Sequence, residues 1–342
     1  MKAWIQRKLS SAGFYLFRDV DLRRDIERIE SKVIEIDENS GGIRGATESL
    51  LQIALQEETR GLLSEIRAHS PENVVLHGRK VFSQCDEDGI ISSIFAKIGG
   101  ANTFIEIGCG NGLENNTCWL LLQGWKGVWV DGSEDLVGAI GAKLGGLQFP
   151  RLMIEQQFID RENIRELVCR YCEFSGSREV DFFSLDIDGN ELPVLLRALE
   201  VCNPRLLCVE YNAKFPPPIN LGIRYAPAHR WRNDDYQGYS LMALVSGLAD
   251  RYTLLTCTLS GVNAFFVRND LAHQFKIYPV EDVYQPARYH RLKLVSGHPA
   301  SLRWLKDALA GDHQQLEGHP SAAQGDEAVP GSARVRSDSV AL

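Results

Sequence analysis

Glu106, Gly108, Gly110 and Gly112 stand at alternate positions in "FIEIGCGNG", where a short apolar run ends. Glycines after a buried strand let the backbone take positive φ and come close to a ligand. An acid just ahead of them draws a positive charge. Asp131 closes the next apolar run, "GVWVDG", where a carboxylate can accept both hydroxyls of a ribose. Two further runs also end in oxygen donors: Asp186 and Asp188 in "SLDIDGNE", and Glu210 and Asn212 in "VEYN". Such a set can hold Mg²⁺ and lower the pKa of a hydroxyl. Asp188 or Glu210, or His229 from a later loop, can instead take the proton directly. The plainer alternatives are a turn at Asp188-Gly189, a helix cap at Asn190 and an arginine partner for Glu210.

A ligand at the glycine run has two candidate chemistries. A dinucleotide wants G-x-G-x-x-G with a helix N-terminus on its pyrophosphate. Here Leu113 occupies the third slot and the glycine falls one residue early, at Gly112. S-adenosylmethionine has no pyrophosphate. Its ammonium and sulfonium suit Glu106, and its carboxylate suits the amides after Gly108. Asp131 serves either nucleoside. Asp160, at the end of "RLMIEQQFID", meets an adenine amino group or caps the following helix.

The elements that position these residues alternate. From about residue 74, apolar runs of strand length alternate with amphipathic helices, which predicts a parallel sheet covered on both faces. "YTLLTCTLSGVNAFFVR" (252–268) reads as strand, turn, strand. The expected fold is a doubly wound, Rossmann-like α/β sheet of seven strands closed by an antiparallel hairpin. A front segment, 1–70, carries two amphipathic helices separated by "NSGG", the second beginning near an N-cap at Thr47. It is read as an oligomerisation or docking device. Trp4, Phe14 and Phe17 suit a peripheral membrane contact or a docked helix. The main domain is placed at 74–300 and a disordered tail at 311–342. Residues 213–238, rich in proline, aromatics and arginine, form a long loop of the kind that covers a site.

The 342 residues carry 44 % apolar and 24 % charged side chains, an ordinary globular balance. A net charge of −8 speaks against nucleic acid as the main partner. Eight cysteines without a secretory leader suggest reduced thiols and a cytoplasmic chain, and Cys169 and Cys172 form one C-x-x-C pair without a second at zinc spacing. No run is long and apolar enough for a transmembrane helix.

Four stretches, "FSQCDEDGIISSIF", "FIEIGCGNGLENNT", "GWKGVWVDGSE" and "VDFFSLDIDGNELPVL", resemble in that order the motifs of the FkbM-type S-adenosylmethionine-dependent methyltransferases. The resemblance covers about residues 80–270. It implies a class I methyltransferase acting on hydroxyls of sugars and secondary metabolites, a small-molecule or glycan acceptor. It places the cofactor at Glu106, Gly108, Gly110, Gly112 and Asp131, with Asp186 beside it and Gln84 and Asp88 near the methionine end. Where many members have Gly-Ala-Asn-Asp-Gly, this chain has G-C-G-N-G. The alternatives are a nicotinamide-dependent oxidoreductase and a non-catalytic interaction protein using its front helices.

Overall fold

The computed structural model describes residues 41–145, 149–177, 179–295 and 297–310. Strands β1 (Thr103–Ile107), β2 (Lys126–Asp131), β3 (Leu152–Gln156), β4 (Phe182–Leu185), β5 (Leu206–Glu210), β6 (Tyr252–Cys257) and β7 (Asn263–Arg268) form one sheet in the order β3-β2-β1-β4-β5-β7-β6. The first five are parallel, and β7 runs antiparallel between β5 and β6. This is the expected doubly wound, Rossmann-like sheet with a terminal hairpin. Strand order reverses between β1 and β4, where open α/β sheets bind their ligands.

The described helices are α1 (Gly41–His69), α2 (Glu87–Ile98), α3 (Cys118–Leu122), α4 (Glu134–Leu144), α5 (Ile164–Ser175), α6 (Glu191–Ala198), α7 (Leu241–Leu248), α8 (Val280–Val283) and α9 (Arg303–Ala310). Period-two alternation along the strands sorts the core into two layers. Ile105, Val128, Phe183 and Leu207 pack with α5, α6 and α7 on one face. Phe104, Trp129, Phe182 and Leu206 pack with α2, α3, α4 and α9 on the other. Local chemistry sets several ends. Ser133 and Ser240 accept amide hydrogen bonds from Leu136 and Ala243 at the starts of α4 and α7, and Gly145 ends α4 in the left-handed region.

Helix α1 is already helical at Gly41, the first described residue, ahead of the start expected at Thr47. It lies on the body with Leu55 and Leu62 inward and Leu50 and Ile53 outward. Glu58 accepts from His290 and, at 2.8 Å, from the buried guanidinium of Arg291, which also donates to Thr59. The first amphipathic helix, the aromatic start and the tail predicted from sequence lie outside the described residues. No described helix is long and apolar enough to cross a membrane. All eight cysteines are free thiols, with Cys169 and Cys172 on α5.

Candidate functional site

Alternation along β1 puts Glu106 on the same face as Phe104, beneath the segment that leads into α3. The sheet register sets it between Trp129 of β2 and Ser184 of β4. Its carboxyl group accepts from the Asn116 amide at 2.8 Å and from the Thr117 hydroxyl. Thr117 in turn accepts from the Trp129 indole, and the Asn116 side chain donates to Ser184. These ties explain why α3 is short. The sequence predicts a helix over 114–125, but its first turn is occupied in holding Glu106, and helical geometry starts only at Cys118. Burial pushes the Glu106 pKa up to about 7, against the opposing hydrogen bonds from Thr117 and Asn116.

Beyond β1 the chain turns through Gly108, Gly110 and Gly112, all at positive φ (+88°, +53° and +78°). A side chain at Gly108 would run into the carbonyl oxygen of Asp186, so β1 and β4 approach here as only glycine permits. The turn is also hydrogen-bonded. Asp131 accepts from the Gly110 amide and the Ser133 amide, both at 2.8 Å. The carboxylate expected to meet a ribose thus also fixes the glycine turn.

A cavity of about 270 Å³ opens at this point, with Gln84, Glu106, Gly108, Gly110, Asn116 and Asp186 among its walls. Gly112, Asp88, Asp131, Asp160, Asp188, Glu210 and His229 are not part of that lining. Gly112 instead faces Trp129 and Ile140, within 3.5 Å of where its Cβ would stand. Asp88 is buried and accepts from the amides of Val81, Phe82 and Ser83 at 2.7–2.9 Å. It shapes the loop that carries Gln84 to the cavity rather than lining the cavity itself. Asp160 does not end a strand. β3 stops at Gln156, and Asp160 accepts from the amides of Glu162 and Asn163 in the turn ahead of α5, whose N-cap position is Asn163.

Asp186, Asp188 and Glu210 come together. Each offers an oxygen within 4.8 Å of the others. Burial and the nearby Asp188 charge raise Asp186 to about 7. Burial and the Asp186 charge push the Glu210 pKa well above the usual carboxylate range, and its side chain hydrogen-bonds Asp186. No arginine pairs with Glu210 among the described residues, and its Oε2 is buried without a partner. Asp188 is exposed at φ +55°, a strained conformation that aspartate tolerates better than most residues. Asn190 stands at the N-cap position of α6, but its side chain makes no capping hydrogen bond. Its amide donates to Ala226, while Glu191 accepts from Gly189.

The 213–238 loop lies over these strand ends. Asn212 holds it through the carbonyls of Asp235 and Gln237. His229 packs so closely on Gly189 that a Cβ there would overlap its ring, and its Nε2 is 3.2 Å from the Asp188 carbonyl. The sequence reading assigned no role to Asn116, Ser184 or Asn263, which also line the cavity. Asn116 falls within the quoted glycine-run motif. Asn263 has no local signal, since its place follows from β7 pairing beside Glu210, and its amide reaches Glu87.

No protein-family model matches the chain, and no curated protein matches it. Solved structures that resemble it include the N-terminal domain of EvdMO1 with SAH bound. That likeness has 13 % identity and a TM-score of 0.36, and covers 61 % of this chain and 95 % of that one. An O-methyltransferase from Bacillus cereus in complex with SAH shows 15 % identity and a TM-score of 0.34, covering 62 % and 90 %. The glycopeptide N-methyltransferase MtfA complexed with sinefungin shows 16 % identity and a TM-score of 0.33, covering 54 % and 87 %. At these levels of likeness the functional reading rests on the site itself.

Proposed function

We propose that this chain is an S-adenosylmethionine-dependent methyltransferase acting on a hydroxyl of a sugar or secondary metabolite. One observation carries the reading. The cavity at the strand-order reversal is walled by the glycine turn and by Glu106 and Asp186, and no long helix begins there. The helix after the turn, α3, starts only at Cys118 and has five residues. That leaves a pyrophosphate without its usual helix N-terminus, and the acids would repel it. The same acids favour a cationic nucleoside. This disfavours the nicotinamide-dependent alternative on the same sheet.

In this reading Glu106 faces the ammonium and Asp131 takes the ribose hydroxyls, while the Cys109, Gly110 and Gly112 amides, which already donate to Val130, Asp131 and Cys109, hold the turn rather than the carboxylate. When bound, S-adenosylmethionine supplies the electrophilic methyl group. The protein's part is to align the acceptor oxygen with it and remove a proton. Asp188, at the exposed end of the acid cluster, is placed to receive that proton, with Glu210 behind it and His229 alongside. The oxygen-only set of Asp186, Asp188 and Glu210 also fits Mg²⁺, which would be held by these carboxyl oxygens and would lower the hydroxyl's pKa. The motif resemblance to FkbM-type enzymes points to the same activity.

Calorimetric titration with S-adenosylhomocysteine and, separately, NADH tests the reading. The expected result is one site for S-adenosylhomocysteine and no heat from NADH. Binding of NADH alone, or of neither by folded protein, contradicts it.

A further inference from the structure

The acceptor side of the site differs in charge from the cofactor side. The carboxyl groups Glu106, Glu114, Asp186, Asp188 and Glu210 dominate the cavity and the acid cluster, with Cys109 also in the lining, Lys80 3.7 Å from Glu114 and His229 against Asp188. The covering loop brings Arg224, Arg230 and Arg232, and none of them pairs with a carboxylate among the described residues. Arg230 stacks over the Phe158 ring at 4.8 Å, which anchors the loop. Arg224 and Arg232 are exposed, and their side chains have no partner among the described residues.

A chain of contacts ties these cations to the acids. His229 sits against Asp188 and Gly189. The Tyr236 ring meets His229 edge-on with centroids 6.3 Å apart, and the Tyr236 hydroxyl is 3.5 Å from the Arg224 amide. The Trp231 indole donates to the Asp234 carbonyl, closing a tight turn with Asn233 at φ +60° that presents Arg232. Trp231 and Tyr236 are 43 % and 58 % exposed, a large apolar surface for a loop hydrogen-bonded into place. Exposed aromatic faces stack on rings, and unpaired guanidiniums bind carboxylate or phosphate through paired hydrogen bonds.

We propose that the acceptor is a ring-bearing anion, its ring against Trp231 and Tyr236, its carboxylate or phosphate on Arg224 and Arg232, and its reacting hydroxyl toward Asp188. The inference rests on the methyltransferase reading and adds the charge class of the acceptor. A neutral acceptor would leave both guanidiniums unused. An anion held by the acid cluster would be repelled, so the loop fixes which end of the acceptor faces the methyl donor.

The test uses the full chain saturated with S-adenosylhomocysteine and titrated with glucose, glucuronate and glucose 1-phosphate, the last two separating carboxylate from phosphate recognition. At least one anionic sugar is expected to bind about tenfold or more tighter than glucose, the scale of one charge-assisted hydrogen bond. R224Q/R232Q should abolish that preference and R224K/R232K should keep part of it. Equal binding of glucose and both anions overturns the proposal, as does no binding of either anion or an unchanged preference in R224Q/R232Q. Binding to phosphatidylserine vesicles with no sugar preference overturns it too, making the loop a membrane contact. Loss of S-adenosylhomocysteine binding in the parent protein is a separate failure, that of the methyltransferase reading.

Discussion

Glu106 enters the site as a buried acid whose pKa is pushed up to about 7 by burial, and the proposed ligand group facing it is an ammonium. A cation beside a carboxyl lowers its pKa. Binding therefore releases a proton, and S-adenosylhomocysteine affinity should rise between about pH 6 and 8. Calorimetry in buffers of different ionisation enthalpy reads that proton directly. Glu106→Gln should weaken binding and flatten its pH dependence. An equal slope in the variant would remove Glu106 from the account. Gly108 permits a second prediction. Gly108→Ala forces a side chain into the Asp186 carbonyl at a positive φ. It should lower stability by about 2–4 kcal/mol in a denaturant melt and abolish cofactor binding. These residues were legible in sequence because glycine and acid at fixed spacing after an apolar run have few other uses. The Asp186–Glu210 hydrogen bond was not, since it joins the ends of two strands through β4–β5 pairing.

At the scale of elements, the strands were readable because their cause is local, the apolar patterning of each run. The errors fall where tertiary contacts decide. α3 loses its first turn to Glu106, β3 stops before Asp160, and α1 is already helical at Gly41, ahead of Thr47. Helix α1 also carries an energetic consequence. Arg291 is almost fully buried, and Glu58 on α1 answers its charge. Removing one partner of a buried pair leaves an uncompensated charge, so Glu58→Ala should destabilise the protein by about 3–5 kcal/mol. Replacing both partners, as in E58L/R291M, should recover most of that loss. Burial alone would raise the Glu58 pKa, but His290 and Arg291 hold it below the usual value. Its stabilising share is therefore present at neutral pH and is lost as pH falls through the carboxylate range. Deleting residues 1–40 should leave this pair intact, whereas deletion through His69 should not.

Across the whole molecule, buried acids are the common feature. Glu87, Glu106 and Glu191 are each raised to about 7, mainly by burial. An acid with a raised folded pKa stabilises the native state below its unfolded pKa, and that share is lost as pH rises toward the folded value. The unliganded protein should melt at progressively lower temperature from about pH 5 to pH 7.5, by differential scanning fluorimetry. The stabilisation given by S-adenosylhomocysteine should grow over the same range. A rising melting temperature would show that these carboxyls ionise freely and are not held as described. The doubly wound sheet and its closing hairpin were foreseen from strand–helix alternation, because right-handed crossovers leave few arrangements. The 213–238 loop was foreseen as a segment that covers the site, but not how it is held, since its contacts with Gly189, Phe158 and Asn212 are set by the fold.

The central claim is that a cationic nucleoside lies across the carboxyl end of β1 with its sugar at Asp131. A crystal of the full chain soaked with S-adenosylhomocysteine tests it most directly. The account predicts density along Gly108–Gly112, its amino group toward Glu106 and its ribose hydroxyls on Asp131. An empty cavity at saturating ligand, or a nucleoside bound elsewhere on the sheet, would contradict it.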